Sequence, residues 1–201
     1  MKGIESLVEE AMEYKKNGLK EKEIATELNL SVDTITWLLT KDVREETPPT
    51  DVKIGWRSIG VFGGRIGLLA TMFSDIILEE MELMEEDFDT VVGVAINGIP
   101  LATLISEELN RELAIYRPPG GDRRRGGGAL SSNYAGVNGK KVVVVDDVIS
   151  TGETMEGAIT FLENEGAEAV LSVVTVNKDS QDEVVGVPLR ALIRAKLIGK
   201  K

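Results

Sequence analysis

Two adjacent carboxylates, Asp146 and Asp147, follow the four valines 142–145 and precede Val148-Ile149 and the run Ser150, Thr151, Gly152, Glu153, Thr154. Hydroxyls and a glycine at the start of a helix leave backbone N–H groups, and the positive end of the helix dipole, free for an anion. One short segment thus offers a phosphate cradle with an acidic pair just before it. A second candidate cradle is Asn97, Gly98 and Ile99, which stands between an apolar run and Pro100. Arginine chemistry comes from Arg117 and from Arg123, Arg124 and Arg125 in a glycine-rich stretch, because guanidinium forks bind phosphate oxygens two at a time. The chain has no histidine and no cysteine, which excludes zinc sites, thiol nucleophiles and histidine acid–base catalysis; oxygen-ligated metals such as Mg²⁺ remain.

These residues need strands and helices to hold them. Four β-branched residues in a row read as a strand buried on both faces, expected to end at the acidic pair. The helix after it carries Met155, Ala158, Phe161 and Leu162 and stops at Gly166. Residues 89–95 form another strand, leading into a helix to about 109; residues 112–117 and 169–176 read as strands, and 184–198 is a last apolar stretch. A long helix is expected over 65–84, with Leu68, Leu69, Met72, Ile76 and Ile77 on its buried face. Strands alternating with helices specify an α/β domain with a parallel-rich sheet, which binds ligands at the carboxyl ends of its strands.

Residues 142–154 resemble the 5-phosphoribosyl-1-pyrophosphate (PRPP) motif of type I phosphoribosyltransferases: an apolar strand, two acids, two apolar residues, then a small hydroxyl- and glycine-bearing loop. The resemblance implies that Ser150, Thr151, Gly152, Glu153 and Thr154 hold the 5-phosphate and that Asp146 and Asp147 take the ribose hydroxyls. Ionised carboxylates are acceptor-only groups suited to a vicinal diol. Glu153 departs from the motif, where a small residue is usual. The spelling around Asn97-Gly98-Ile99 is similar to the pyrophosphate loop of orotate phosphoribosyltransferases. The 118–128 stretch stands where that family carries a mobile catalytic loop closing over pyrophosphate. Here the chain departs again: Arg117 is kept, Pro118 replaces the usual lysine, and the loop histidine is missing. Loss of loop groups acts on the transition state more than on ground-state binding.

The amino-terminal part reads differently. Residues 1–16 form an amphipathic helix ending near Gly18, and 19–40 resemble a helix-turn-helix in which Ala25 permits close approach and Leu30 plugs the corner. Ser31 caps the second helix. The implied recognition helix spans 32–40, with Asp33, Thr34, Thr36, Trp37 and Lys41 exposed. Ser31, Thr34, Thr36 and Lys41 are the candidate DNA contacts. Residues 1–48 carry seven basic and eleven acidic side chains, a net of −4, so a DNA-binding surface must gather its lysines on one face and work as a dimer. A structural or dimerising helical bundle is the other reading of this segment. Charges and the Pro48-Pro49 pair make 46–53 a linker, giving a small all-α domain at 1–45 and a phosphoribosyltransferase-like domain at 54–201.

The layout resembles archaeal phosphoribosyltransferase-like transcription regulators of the GfcR type. That resemblance implies a homodimer acting on double-stranded DNA under control of PRPP or a related phosphorylated ligand, with Mg²⁺ accompanying PRPP and no direct metal ligand in the chain. The family is linked to control of central sugar catabolism. The competing reading is a Mg²⁺-dependent orotate, or other base, phosphoribosyltransferase with an accessory bundle. With 201 residues, a net charge of −11 and no apolar run near the ~18 residues of a membrane span, a cytoplasmic location is expected.

Overall fold

A computed structural model describes residues 3–40, 49–119 and 128–196. The chain divides into two compact units, one ending at Trp56 and one spanning Arg57–Lys196.

In the first unit three helices pack together: α1 (Ile4–Lys16), α2 (Glu21–Leu28) and α3 (Val32–Leu39). Asn29 ends α2 in the left-handed region, φ 51°, which asparagine tolerates better than most residues. Ser31 Oγ accepts a hydrogen bond from the Thr34 N–H at 3.2 Å and so caps α3. Ala11, Ile24, Ala25, Leu28, Leu30, Ile35, Trp37 and Leu38 form the core. This is a small helix-turn-helix-like domain. Asp51, in the stretch expected as linker, accepts hydrogen bonds from the Ser31 N–H at 2.7 Å and the Thr34 hydroxyl at 2.9 Å.

The second unit begins with the short α4 (Arg57–Gly60) and the long α5 (Gly63–Met84). It continues with β1 (Thr90–Val94), α6 (Gly98–Glu108), β2 (Glu112–Arg117), β3 (Ala129–Leu130), β4 (Lys141–Ile149), α7 (Glu153–Asn164), β5 (Glu168–Asn177), β6 (Glu183–Val184) and β7 (Val187–Arg194). Among the described residues the sheet has seven strands in the order β3-β2-β1-β4-β5-β7-β6. β2, β1, β4, β5 and β7 run parallel, and the short β3 and β6 are antiparallel edges. This is the parallel-rich, helix-flanked α/β fold expected.

Alternation along the strands assigns the two faces. Val92, Val94, Val142, Val144 and Val174 share a core with Met155, Ala158, Ile159 and Leu162 of α7. A Cβ on Gly93 would come 2.9 Å from Ala102 Cβ, so the odd-numbered side of β1 faces α6. The missing side chain lets α6 lie directly on β1. One expectation is corrected on α5: Leu68 and Met72 are 70% and 51% exposed, while Ala70, Phe73, Ile77 and Met81 are buried. Apolar residues fill so many positions of this helix that several faces fit the helical period. The side that packs carries the small Ala70 and Ser74, whose hydroxyl donates to Glu108 at 3.0 Å.

Gly93→Ala is expected to cost about 1–3 kcal/mol in urea unfolding, by overpacking. Pairing it with Ala102→Gly should recover part of that loss; additive losses would show that the two positions do not meet.

Candidate ligand site and nucleic-acid interface

β1 and β4 are adjacent in the sheet, yet the crossover from β1 leads to β2 on one side and that from β4 to β5 on the other. The order reverses between them, and ligands bind in the crevice at such a point. β1 pairs with β4 only from Thr90↔Val142 to Gly93↔Val145, then turns away through a cis peptide between Ala95 and Ile96. β4 runs on beside β5 to Ile149↔Asn177. The expectation that the strand ends at the acids is therefore corrected: Asp146 and Asp147 lie inside β4, because β5 continues to pair with it. The edge that β1 vacates is filled by the turn into α6. A Cβ on Gly98 would run into the Val145 carbonyl oxygen and lie 3.2 Å from Asp146 Cα. Only glycine lets the Asn97-Gly98-Ile99 turn reach β4 beside the acidic pair.

The two acids sit on opposite faces of the sheet. Asp146 Oδ1 accepts from the Asp147 N–H, and Asp147 Oδ1 from the Val148 N–H, both at 2.8 Å. Asp147 is 4% exposed, and its Oδ2 has no hydrogen-bond partner. Burial, followed by the charge of Asp147, pushes the Asp146 carboxyl well above the usual carboxylate range. Burial also pushes Asp147 up, opposed by its hydrogen bond with Asp146, the Val148 N–H and the Asn97 amide. Two neighbouring acids perturbed by desolvation at a crevice make this a candidate functional site.

Beyond Ile149 the chain passes Ser150 and the exposed Thr151 to Gly152, whose φ of 82° is the left-handed conformation glycine adopts freely. Glu153 and Thr154, both exposed, open α7, whose N-cap residue, Gly152, has no side chain to cap it. Asn97 likewise leaves the start of α6 uncapped. Arg117 is exposed at the carboxyl end of β2, next to β1. The fold thus brings Asp146, Asp147, residues 150–154, residues 97–99 and Arg117 to one edge of the sheet. Arg123, Arg124, Arg125 and Lys41 lie outside the described residues. Among the described residues no group of three or more acidic side chains is placed to hold a metal ion.

Sequence reasoning missed two contributors, the loop held by Asn177 and one strand glycine. Asp179 reaches within 3.9 Å of where a Gly152 side chain would begin. The fully buried Asn177 holds that loop, accepting from the Asp179 N–H at 2.7 Å and donating to the Gln181 carbonyl at 3.0 Å. An asparagine closing an apolar run before Lys-Asp-Ser was the available signal. The other is Gly93, which seats α6.

On α3 the structure corrects the exposed face. Thr34 and Trp37, expected in solvent, are each 8% exposed. The Thr34 hydroxyl is engaged by Asp51, and Trp37 belongs to the core. The buried stripe is Thr34, Ile35, Trp37 and Leu38, which leaves Asp33, Thr36 and Thr40 exposed. Thr36 donates to Glu21 at 2.8 Å, and Ser31 is occupied as a helix cap.

The arrangement defines a phosphoribosyltransferase-like domain, and residues 66–192 match the family model described as "Phosphoribosyl transferase domain". The fold is similar to orotate phosphoribosyltransferase from Aeropyrum pernix (22% identity, TM-score 0.55, covering 75% of this chain and 82% of that one). It is also similar to the Mycobacterium tuberculosis enzyme in complex with PRPP (20% identity, TM-score 0.54, 70% and 80% covered). Across its full length the chain is 51% identical over 199 residues to "Transcriptional regulator GfcR" of Thermoplasma acidophilum, covering 99% of each. It is 48% identical over 198 residues to that of Picrophilus torridus, covering 98% of this chain and 100% of that one. The chain belongs to this GfcR family of proteins named as transcriptional regulators. No helix among the described residues is long and apolar enough to cross a membrane.

The sign of the acid shifts gives a stability test. With folded-state pKa values above the unfolded ones, the ionised pair costs stability; the cost is absent below the unfolded pKa and grows as pH rises through the folded values. Asp146→Asn is expected to raise stability at pH 7 by about 1 kcal/mol, the scale typical of stabilising replacements. The gain should vanish near pH 3; an equal gain at both pH values in thermal melts would contradict this. Gly98→Ala should destabilise by about 2–3 kcal/mol through overpacking against β4, read by urea unfolding.

Proposed function

We propose that this protein is a DNA-binding transcriptional regulator of sugar or nucleotide metabolism whose second unit binds PRPP or a related phosphorylated ligand. The observation that carries the ligand assignment is the meeting of two uncapped helix starts, α6 and α7, around the acidic pair where the strand order reverses. In this reading the α7 start and residues 150–154 take the 5-phosphate, Asp146 and Asp147 take the ribose diol, and residues 97–99 with Arg117 take pyrophosphate. Mg²⁺ would enter on the ligand's own pyrophosphate oxygens, as the described residues offer no cluster of their own. The similarity to an enzyme solved with PRPP supports this chemistry, and the GfcR relatives support regulation as its purpose.

The first unit would place α3 in the major groove of double-stranded DNA. Asp33 can accept from a cytosine amino group, and Thr36 and Thr40 present hydroxyls. The seven basic against eleven acidic residues of 1–48 make a single copy a weak phosphate binder, which favours a homodimer on two half-sites. Ligand would then act through its different affinity for two arrangements of the paired domains.

Calorimetry with PRPP and Mg²⁺ should show binding that Asp147→Ala weakens at least about tenfold, as expected for loss of a charged hydrogen-bond acceptor. A product assay with orotate on the same preparation should show no turnover; turnover would make the protein a phosphoribosyltransferase. Fluorescence anisotropy on a duplex from upstream of its own gene should show salt-sensitive binding that PRPP shifts and Thr36→Ala weakens. Unchanged DNA affinity at saturating PRPP would sink the sensing role. Light scattering should give the mass of a dimer.

A further inference from the structure

Two polar atoms in the interior have no hydrogen-bond partner and belong to neighbouring strands: Asp147 Oδ2 and Thr175 Oγ1. Their residues are 4% and 2% exposed. The pairs Asp146↔Val174 and Val148↔Val176 put Asp147 of β4 directly beside Thr175 of β5, with both side chains on the α6 face. Elsewhere along β5 the buried polar side chains are used. Ser172 donates to the Pro188 carbonyl at 2.9 Å, and Asn177 holds the turn that follows. A buried polar group left without a partner is destabilising, so an idle hydroxyl beside an idle carboxylate oxygen calls for an explanation. Valine has the same shape and would fill the place of Thr175 without that cost. What valine lacks is the donor.

We propose that Thr175 is a positioning residue for Asp147: its hydroxyl supplies a hydrogen bond to Oδ2 through one buried water, which fixes the carboxylate in the orientation needed to receive a ligand diol. Asp147 is held on its other oxygen by the Val148 N–H. A carboxylate fixed through one oxygen alone can still rotate about its last torsion; a donor on the second oxygen fixes its plane. A buried hydroxyl one strand away is well sited for this, because the sheet register sets its distance and its backbone is held by two neighbouring strands, β4 and β7. A bridging water needs polar partners, and the Thr175 hydroxyl and Asp147 Oδ2 supply two.

The orientation of Asp147 belongs to the protein alone, whereas its effect on affinity rests on the PRPP reading above. The test separates the two. In full-length protein labelled with ¹³Cγ-aspartate, the Asp147 carboxyl resonance is assigned by its loss in Asp147→Asn. It is then compared in wild type, Thr175→Val and Thr175→Ser without ligand. The valine variant should displace the resonance and the serine variant should leave it at the wild-type position. Calorimetry with PRPP and Mg²⁺ should show about tenfold weaker binding for Thr175→Val, the scale of a hydrogen bond to a charged group, with affinity restored in Thr175→Ser. If Thr175→Val leaves the resonance and the affinity unchanged, or only raises the melting temperature, the hydroxyl is a passive core group and the proposal fails. If the wild type binds no PRPP while the valine variant still displaces the resonance, the positioning role stands and the ligand assignment falls. Thr175→Ala replaces the valine variant if the latter does not fold.

Discussion

The site depends on a difference in length between neighbouring strands. β4 outruns β1 by several residues because β5 supports it on its other edge, and the vacated edge is where the α6 turn comes in. That approach is possible only because Gly98 has no side chain to meet the Val145 carbonyl. Gly93, one turn of packing away, allows α6 to lie close enough to β1 for the turn to reach so far. The α6 start reaches the acidic pair through this meeting of backbones rather than through contacts among the functional side chains.

The same arrangement creates an electrostatic debt. Of two adjacent carboxylates, Asp147 is buried and Asp146 half-buried, and no described cation pairs with either. Buried charges without partners are usually neutralised or removed, since desolvation opposes ionisation. Their presence at the reversal point of the sheet is understood if a ligand supplies what the protein withholds: hydroxyl donors for the acids, and phosphate charge for the positive dipole ends of α6 and α7. Glu153 acts against this at the first position of α7. It is favoured by the helix dipole, yet its negative charge at the same helix end opposes an anion there.

The helix-turn-helix unit shows a related tension. α3 is anchored at its amino end by its own cap and by Asp51, so the groups that could have met a DNA phosphate there already hold protein oxygens. The exposed side carries Asp33 and a threonine tied to Glu21. Any reading of DNA by this surface relies on hydroxyls and an acceptor more than on cations, in keeping with the acidic composition of the segment.

Much of this was legible in the residues. Strand runs of β-branched residues, helices with a cap or a glycine at their ends, and the ordered motif of 142–154 determined the element types, the α/β class and the family resemblance, because each rests on local chemistry. Several other properties were beyond the sequence. Apolar residues on nearly every side of α5 and α3 left their buried faces ambiguous, and only packing decided that Leu68 and Met72 face water while Thr34 and Trp37 do not. The extent of β4 past the acids was set by its partner strand, and the pairing of Asp147 with Thr175 by register between segments 28 residues apart. Sequence determined which groups exist and which elements they ride on; tertiary structure decided which of them meet, because strand length, register and helix facing are set by neighbours distant along the chain.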